Sequence, residues 1–286
     1  NWVDFDVEEG TLNLDDAQKA LERKPKLLAV GYASNSLGTI NPVKKIIDMA
    51  HEAGALVYID AVQYAPHGPI DVQKLDCDFL ISSAYKFFGT HSAILYGKRN
   101  LLEKLFAYKV RPATNHLPGK FETGTQNHEG IAGVLGAIEY FEWVGREFGS
   151  EFVAGLAGEN YRGRQLELKK AMSAIHAYEI ELSKALLSAL NDVPGLRLYG
   201  LNDVRRLDER VATFSFRLNN MHPRVVAEKL AQEGIFAWDG NYYARNVSER
   251  LGVEEQGGMV RVGAAHYNTL EEVARLKDAL IKIAAG

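Results

Sequence analysis

Two stretches decide the fold: ALVYIDAVQ (residues 55–63) and CDFLISSAYKFFG (residues 77–89). Each begins with an apolar run of strand length, and each run ends in polar side chains, with Asp60 and Gln63 after the first and Lys86 after the second. In open α/β sheets, ligands bind outside the carboxyl ends of parallel strands. We therefore predict that these side chains, together with Asn35 after the apolar run at residues 26–34, converge on one crevice at a sheet edge.

The neighbouring segments extend this pattern. KLLAVGYAS (26–34) and SAILYG (92–97) are further apolar runs of strand length. Between the first of them and residue 55, PVKKIIDMAHEAG predicts a helix that begins at Pro42 and ends at Gly54. A strand–helix–strand unit with short loops indicates a mostly parallel sheet that is covered by helices.

The composition changes near residue 146. Before it, residues 131–145 predict a buried helix, and after it comes a long polar stretch of helical pattern. The remaining segments alternate strand and helix signals, which is typical of a smaller α+β domain. We predict a large domain at 1–145, a connecting helical region at 146–192 and a small C-terminal α+β domain at 193–286.

The bulk composition excludes several classes of protein. The net charge of −4 over 286 residues leaves no basic excess for nucleic acid or an anionic membrane. No apolar run has transmembrane length, and no segment has the pattern of a signal peptide. Cys77 is the single cysteine, which excludes an intrachain disulfide and a cysteine-rich metal site. We expect a soluble cytoplasmic protein that binds no metal, nucleic acid or membrane.

Each polar residue at a strand end has two interpretations. Asp60 is either a turn former or helix N-cap, or a carboxylate that pairs with a protonated pyridine nitrogen. Lys86 is either a surface lysine or a Schiff-base amine whose pKa is lowered by apolar and cationic neighbours. Ser83 and Thr125 are either turn residues or hydroxyls that donate to a phosphate.

These segments, together with SNSLGTINP (34–42), resemble the class V aminotransferases, and within them the cysteine desulfurase-like branch. The resemblance runs from about residue 20 to the C-terminus, and its specific part is Asp-x-x-Gln followed by Ser-x-x-Lys. It implies an α/β protein of the aspartate aminotransferase-like fold type I, with pyridoxal 5′-phosphate (PLP) as cofactor. It also implies that the chain lacks the family's N-terminal segment, which supplies a glycine-rich phosphate turn and a ring-stacking residue.

The resemblance also implies roles for the residues at the strand ends. Lys86 forms the Schiff base with the cofactor, Asp60 faces the pyridine nitrogen and Gln63 hydrogen-bonds the ring oxygen. Asn35 lies close to the ring oxygen or the substrate. Tyr85, next to the lysine, belongs to the same cofactor site.

The phosphate and the substrate have implied partners as well. Ser83 holds the phosphate, and Thr125 reaches the phosphate of the neighbouring subunit, which implies a homodimer. Arg261 matches the arginine that binds the substrate α-carboxylate, a planar anion suited to a bidentate guanidinium. A solvated arginine at a strand end remains the alternative.

Two positions depart from the desulfurase pattern. Tyr85 stands where desulfurases have histidine, and tyrosine is a poor proton carrier near neutral pH. The loop FAWDGNYYA (236–244) has Tyr243 where a desulfurase needs its thiolate. Cys77 begins a predicted strand and is interpreted as a buried apolar residue. We therefore expect no authentic cysteine desulfurase activity.

The functional prediction is a PLP-dependent enzyme that acts on a small amino acid, by transamination or by a desulfurase-like lyase reaction without the catalytic cysteine. Lys86 is the predicted general base. The alternative is a non-catalytic homologue that serves as a dimeric scaffold or binding protein. A nicotinamide-dependent dehydrogenase is disfavoured because no G-x-G-x-x-G follows a predicted strand.

Overall fold

The computed structural model describes all 286 residues, which divide into two units. Unit 1 contains Asn1–Ala20, Ala33–Pro42 and Ser173–Gly286, and unit 2 contains Leu21–Tyr32 and Val43–Met172. Both units are therefore assembled from separate segments of the chain. The predicted domains are continuous segments, and their boundaries remain a proposal.

The chain contains nine α-helices and eight β-strands. The helices are α1 Leu14–Leu21, α2 Val43–Glu52, α3 Val72–Leu75, α4 Arg99–Lys104, α5 His128–Phe148, α6 Gly163–Asn191, α7 Pro223–Gln232, α8 Arg245–Arg250 and α9 Leu270–Ala284. The strands are β1 Leu27–Gly31, β2 Leu56–Asp60, β3 Phe79–Ser83, β4 Ala93–Gly97, β5 Leu196–Tyr199, β6 Thr213–Leu218, β7 Trp238–Gly240 and β8 Met259–Gly263.

The sheet of unit 2 has the order β1-β2-β3-β4. The pairs β1–β2 and β2–β3 are parallel, whereas β3 and β4 are antiparallel. Parallel neighbours need a long crossover, and the short connection from Ala84 to Ser92 permits only the antiparallel pairing. The register pairs Asp60 of β2 with Ile81 of β3, so these two strands end at the same edge of the sheet.

The core of unit 2 lies between α2 and this sheet. The apolar side of α2 is buried, as its sequence predicts, and so are the central side chains of β2. Burial of these aliphatic side chains supplies the main favourable free energy for this unit. The buried members of this core include Val43, Ile47, Val57, Ile59 and Leu80.

A polar cluster at the amino end of β3 is organised by Asp78, whose side chain is 5% exposed. Its carboxylate accepts a hydrogen bond of 2.8 Å from the Val57 amide, and it lies 2.9 Å from Nε2 of His51 and 3.1 Å from Nζ of Lys98. Burial alone would raise the pKa of Asp78, but these partners outweigh burial and lower it. The buried carboxylate is therefore charged and links α2 to the ends of β3 and β4.

Unit 1 contains an antiparallel sheet of order β5-β6-β8-β7. Helices α7 and α9 and the later turns of α6 supply its apolar neighbours. Phe214 and Phe216 of β6 are fully buried in this core, as are Val260 of β8 and Leu280 of α9. The predicted α/β fold with a mostly parallel sheet covered by helices is confirmed, and the C-terminal segments contribute an antiparallel sheet with helices.

One prediction about a helix is wrong. Residues 131–145 form part of α5, as expected, and Phe141 is buried, but one side of the helix is not. Ile131, Leu135 and Trp143 are 55%, 42% and 45% exposed. Apolar residues occur on most sides of this helix, so the sequence does not indicate which side packs against other parts of the same chain. No helix of the structure is long and apolar enough to cross a membrane.

Candidate functional site

Asp60 ends β2 at the carboxyl edge of the unit 2 sheet. Its backbone oxygen accepts a hydrogen bond of 2.7 Å from the Tyr32 amide, and the next amide, of Ala61, donates to Ile81 at 2.9 Å. The Asp60 side chain is exposed, and its Oδ1 accepts from the Val62 amide at 2.9 Å. The residue therefore acts as a turn former and also presents a carboxylate at the sheet edge.

Gln63 lies in the turn that follows β2 and is half-buried. The next residue, Tyr64, stacks on Tyr32 with a centroid separation of 3.9 Å and an interplanar angle of 11°. Burial raises the pKa of Tyr64, so its phenol is neutral at physiological pH. This stacked pair fixes the turn that carries Gln63 against the end of β1.

Lys86 lies one short turn beyond β3. The strand ends at Ser83, which is half-buried, and a 3-10 helix follows over Ala84–Phe87. The Ala84 amide donates a hydrogen bond of 2.8 Å to the backbone oxygen of Ser92, and the turn ends at Phe88 with a left-handed φ of 70°. These contacts hold Ser83 and Lys86 at the same sheet edge as Asp60.

An aromatic pair lies next to the lysine. Nζ of the half-buried Lys86 is 5.8 Å from the centroid of the Tyr85 ring. Tyr85 in turn stacks on His91 at 5.2 Å with an interplanar angle of 15°. Tyr85 is 47% exposed, so it covers the lysine on one side and remains open to solvent.

Thr125 lies in the exposed loop between α4 and α5 and makes no hydrogen bond within this chain. The loop is anchored before it by Lys120, whose buried Nζ donates to the carbonyls of Leu102 and Glu103 at 3.0 and 2.9 Å. Its predicted contact with the phosphate of a neighbouring subunit remains a prediction.

Arg261 occupies the middle of β8 in unit 1 and is half-buried. Its Nη1 donates a hydrogen bond of 2.6 Å to the backbone oxygen of Asn35, and its guanidinium lies 4.5 Å from the centroid of the Tyr242 ring. Burial lowers the pKa of Arg261, and no carboxylate forms an ion pair with it. A half-buried cation without a counter-ion is suited to bind an anionic ligand.

The Asn35 side chain completes this arrangement, because its Nδ2 donates to the Tyr242 carbonyl at 2.8 Å. The structure thus brings together two predicted residues, Asn35 and Arg261, and adds Tyr242, which sequence analysis missed. The resemblance points to the next residue, Tyr243, and nothing in the sequence of two adjacent tyrosines indicates that the first is buried and the second is not. Tyr242 is 6% exposed and Tyr243 is 102% exposed.

Buried polar contacts hold the loop that carries Asn35. Oγ of Ser215 donates to the Ser36 carbonyl at 2.6 Å. Arg210, which is 2% exposed, donates to the Thr213 carbonyl at 2.6 Å and to the Leu37 carbonyl at 3.4 Å. Burial lowers the pKa of Arg210 to about 9, which leaves the guanidinium charged at neutral pH.

The only thiol of the chain lies in unit 2. Cys77 is fully buried, and burial raises its pKa to about 11. The loop 236–244 of unit 1 therefore carries no sulfur nucleophile, and the exposed Tyr243 occupies the position that the desulfurase pattern gives to cysteine. No three histidine, cysteine or acidic side chains of the chain are grouped to hold a metal ion.

Comparisons with known proteins identify the relatives of this chain. The family model described as "Aminotransferase class-V" matches residues 2–151 and 144–276. A cysteine desulfurase of Synechococcus elongatus is 33% identical over 97% of this chain and 41% of its own length. One of Pectobacterium atrosepticum is 34% identical over 97% of this chain and 63% of its own length.

Solved structures of the same kind superpose on the chain. The apo cysteine desulfurase of Thermococcus onnurineus has a TM-score of 0.80 and 26% identity over 100% of this chain and 66% of its own. A cysteine desulfurase of Escherichia coli has a TM-score of 0.71 and 29% identity over 94% of this chain and 62% of its own. The chain thus spans about two fifths to two thirds of the length of these relatives.

Proposed function

This chain belongs to the class V aminotransferase family, whose cofactor is PLP, and from that premise we propose that it forms part of a PLP-dependent enzyme acting on a small amino acid. The observation that carries the proposal is the parallel pairing of β2 and β3. One strand ends in Asp60, and the other ends in Ser83 and leads to Lys86 at the same edge of the sheet.

The side chains at this edge fit the chemical groups of PLP. The cofactor carries an aldehyde, a pyridine nitrogen, a ring oxygen and a phosphate. Lys86 offers an amine for the aldehyde, Asp60 a carboxylate for the protonated nitrogen and Gln63 an amide for the ring oxygen. Ser83 offers a hydroxyl for the phosphate. We propose that these four residues hold the cofactor, with Tyr85 beside the lysine.

Each of these groups has a distinct chemical task. PLP, when bound, supplies an electron-withdrawing ring that weakens the bonds to the substrate α-carbon. The Asp60 carboxylate favours the protonated form of the pyridine nitrogen, because an opposite charge stabilises it. Nζ of Lys86 removes the proton from the α-carbon as general base.

The substrate carboxylate is assigned to unit 1. Arg261 is half-buried, has no acidic partner and presents a planar fork of donors that matches a carboxylate. Asn35 lies next to it through the hydrogen bond from Arg261. We propose that this pair binds the α-carboxylate of the amino acid.

The reaction is either transamination or a desulfurase-like lyase reaction. The curated relatives described above are cysteine desulfurases, so L-cysteine is the first substrate to test. Transfer of sulfur to an enzyme persulfide needs an accessible thiolate, and Cys77 is buried with a raised pKa. Elimination from cysteine would instead release sulfide, pyruvate and ammonia, whereas transamination would yield a 2-oxo acid.

The quaternary structure and the location in the cell follow as further proposals. Unit 2 exposes large apolar side chains in the segment after α4, among them Phe106 and Tyr108, which supports a homodimer. Thr125 would then serve the phosphate of the partner subunit. The cytoplasmic localisation remains a prediction.

Chemical trapping tests the cofactor assignment. The full-length protein is incubated with PLP, reduced with borohydride and digested, and the modified peptide is identified by mass spectrometry. We expect the adduct on Lys86, its loss in Lys86→Ala and its retention in Lys104→Ala, an exposed lysine of α4. An adduct on another lysine, or none, would overturn the proposal and favour the non-catalytic scaffold.

A further inference from the structure

We infer that Tyr242 is a positioning residue for the carboxylate site, which it serves by fixing the Arg261 guanidinium and the Asn35 amide. The inference deepens the proposed function and rests on it. Three contacts connect these residues in a ring. Arg261 donates a hydrogen bond to the Asn35 backbone oxygen, and the Asn35 side chain donates one to the Tyr242 backbone oxygen. The Tyr242 ring in turn makes a cation–π contact with Arg261.

The Tyr242 ring is fixed relative to β8. Its hydroxyl donates a hydrogen bond to the Met259 carbonyl, and Met259 precedes Arg261 by two residues on the same strand. The ring is therefore held at one end by the strand and lies 4.5 Å from the guanidinium that the same strand carries. A cation on the face of an aromatic ring is electrostatically stabilised, and more so when both are partly desolvated.

The Tyr242 backbone is held in an uncommon conformation. Its φ is +56°, and that of Tyr243 is +63°. Left-handed φ values are rare for bulky residues and persist where surrounding contacts over-determine them. In this conformation the Tyr242 carbonyl accepts the Asn35 amide at 2.8 Å, so the turn orients the Asn35 side chain as well as the arginine.

This arrangement leaves a prepared site for an anion. A guanidinium has five N–H donors, and Arg261 uses one nitrogen, Nη1, for the Asn35 carbonyl. The Tyr242 ring covers one face of the Arg261 guanidinium and restricts the rotamers of this side chain. Less side-chain entropy is therefore lost when a carboxylate binds. Preorganisation of this kind increases affinity by reducing the cost of ordering. Tyr242 thus acts through Arg261 and not on the reacting atoms.

The test compares Tyr242→Leu and Tyr242→Phe with the control Tyr267→Leu in the full-length holoenzyme. Tyr242 is buried, whereas Tyr267 is an exposed tyrosine of the same unit. Affinity for L-alanine and L-cysteine is measured by titration of the cofactor absorbance, beside KM and kcat. We expect Tyr242→Leu to weaken amino acid affinity roughly tenfold with little change in kcat, Tyr242→Phe to weaken it less, and Tyr267→Leu to have no effect.

A double-mutant cycle separates positioning from a structural role. On an Arg261→Gln background, Tyr242→Leu should cause little further loss, because the group that it positions is gone. The effect should also vanish for ethylamine and cysteamine, which lack the carboxylate. An equal loss on both backgrounds, or with the amines, would overturn the inference. If Tyr242→Leu does not fold, Tyr242→Met, which fills a similar apolar volume, carries the same expectations.

Different results would overturn the proposed function and the positioning role of Tyr242. If the wild-type holoenzyme binds and converts neither amino acid, the proposed function is overturned and the inference falls with it. If the wild-type protein binds them and Tyr242→Leu binds them equally well, the inference alone is overturned.

Discussion

Nη1 of Arg261 donates a hydrogen bond of 2.6 Å to the backbone oxygen of Asn35, which lies 226 residues earlier in the chain. Within the sheet of unit 1, Arg261 pairs with Ser215 on one side and with Trp238 on the other. Directly paired residues of an antiparallel sheet project to the same face. In the sheet, Arg261 therefore lies between a buried serine that holds the Asn35 loop and a tryptophan that is 64% exposed.

Arg261→Gln should raise the KM for the amino acid substrate by roughly 10- to 100-fold, the range for losing charged hydrogen bonds to a carboxylate. Steady-state kinetics on the full-length holoenzyme measures it. Arg245→Gln is the control, because Arg245 is exposed and pairs with Glu249 at 2.8 Å. An unchanged KM with a lower kcat would contradict a carboxylate-binding role for Arg261.

The thiol of Cys77 should be unreactive in the native protein. Its side chain is fully buried and its pKa is raised to about 11, so at neutral pH it is a protonated thiol without access to reagents. We expect it to react with a disulfide reagent at least about a hundredfold more slowly in the native protein than in urea. Cys77→Ala should keep the full rate of product formation, and a loss of turnover with an intact fold would refute this prediction.

Asp71 should make the stability of unit 2 dependent on acid pH. Burial alone would raise the pKa of Asp71, but hydrogen bonds from Tyr161 and the Lys74 amide and the charge of Lys169 outweigh burial and lower the pKa to about 2. A pKa below the unfolded value means that the carboxylate stabilises the fold above about pH 4, and this contribution is lost as the pH falls from about 4 to about 2.

Asp71→Asn isolates that charge, because asparagine keeps the N-cap of α3. The variant should unfold at a lower temperature than the wild-type protein at pH 7, and the difference should shrink as the pH falls below 4. Thermal unfolding at a series of pH values measures it. Asp48→Asn removes an exposed partner of Lys44 and should show no such trend, and a constant difference for Asp71→Asn would refute the assignment.

Gly38 should resist substitution far more than Gly54. Both have a φ of +78°, but a Cβ on Gly38 would lie 2.3 Å from the Thr213 carbonyl, whereas one on Gly54 would meet no atom within 4 Å. Gly54→Ala should cost about 1 kcal/mol for the left-handed backbone alone. Gly38→Ala should cost roughly 3 kcal/mol or more because β6 must also shift. Urea unfolding of both variants measures this, and equal losses would contradict it.

Phe106→Glu should weaken the proposed homodimer. Phe106 and Tyr108 are 78% and 96% exposed in unit 2, and a charge at an apolar interface opposes association. Analytical ultracentrifugation of the full-length protein should show a shift from dimer to monomer. Tyr267→Glu, at a residue of unit 1 that is 67% exposed, is the control. A dimer of unchanged affinity in both variants would exclude this segment from the interface.

The strands that carry the candidate cofactor residues could be predicted because their signals are local. An apolar run of strand length followed by Asp60, or by Ser83 and Lys86, needs only neighbouring residues to be recognised. Whether β4 runs parallel or antiparallel to β3 could not be predicted in this way, because an apolar run is compatible with both directions. Only the short connection to β3, in three dimensions, makes the pair antiparallel.

The environment of Arg261 depends on distant residues and could not be predicted. The sequence indicated Arg261 through a resemblance and Asn35 through its place after a predicted strand, but it held no signal for the left-handed φ of Tyr242 or for its burial. The same holds for Arg210, a charged residue that is buried because backbone carbonyls from three segments surround it. Such contacts become visible only when the chain is folded.

The interleaved segments of the two units also restrict how this architecture can be cut or recombined. Ala33–Pro42 belongs to unit 1 although the segments on both sides of it belong to unit 2. A single truncation therefore cannot produce either unit as a separate domain. A chimaera that exchanges one unit for that of another protein would need several junctions.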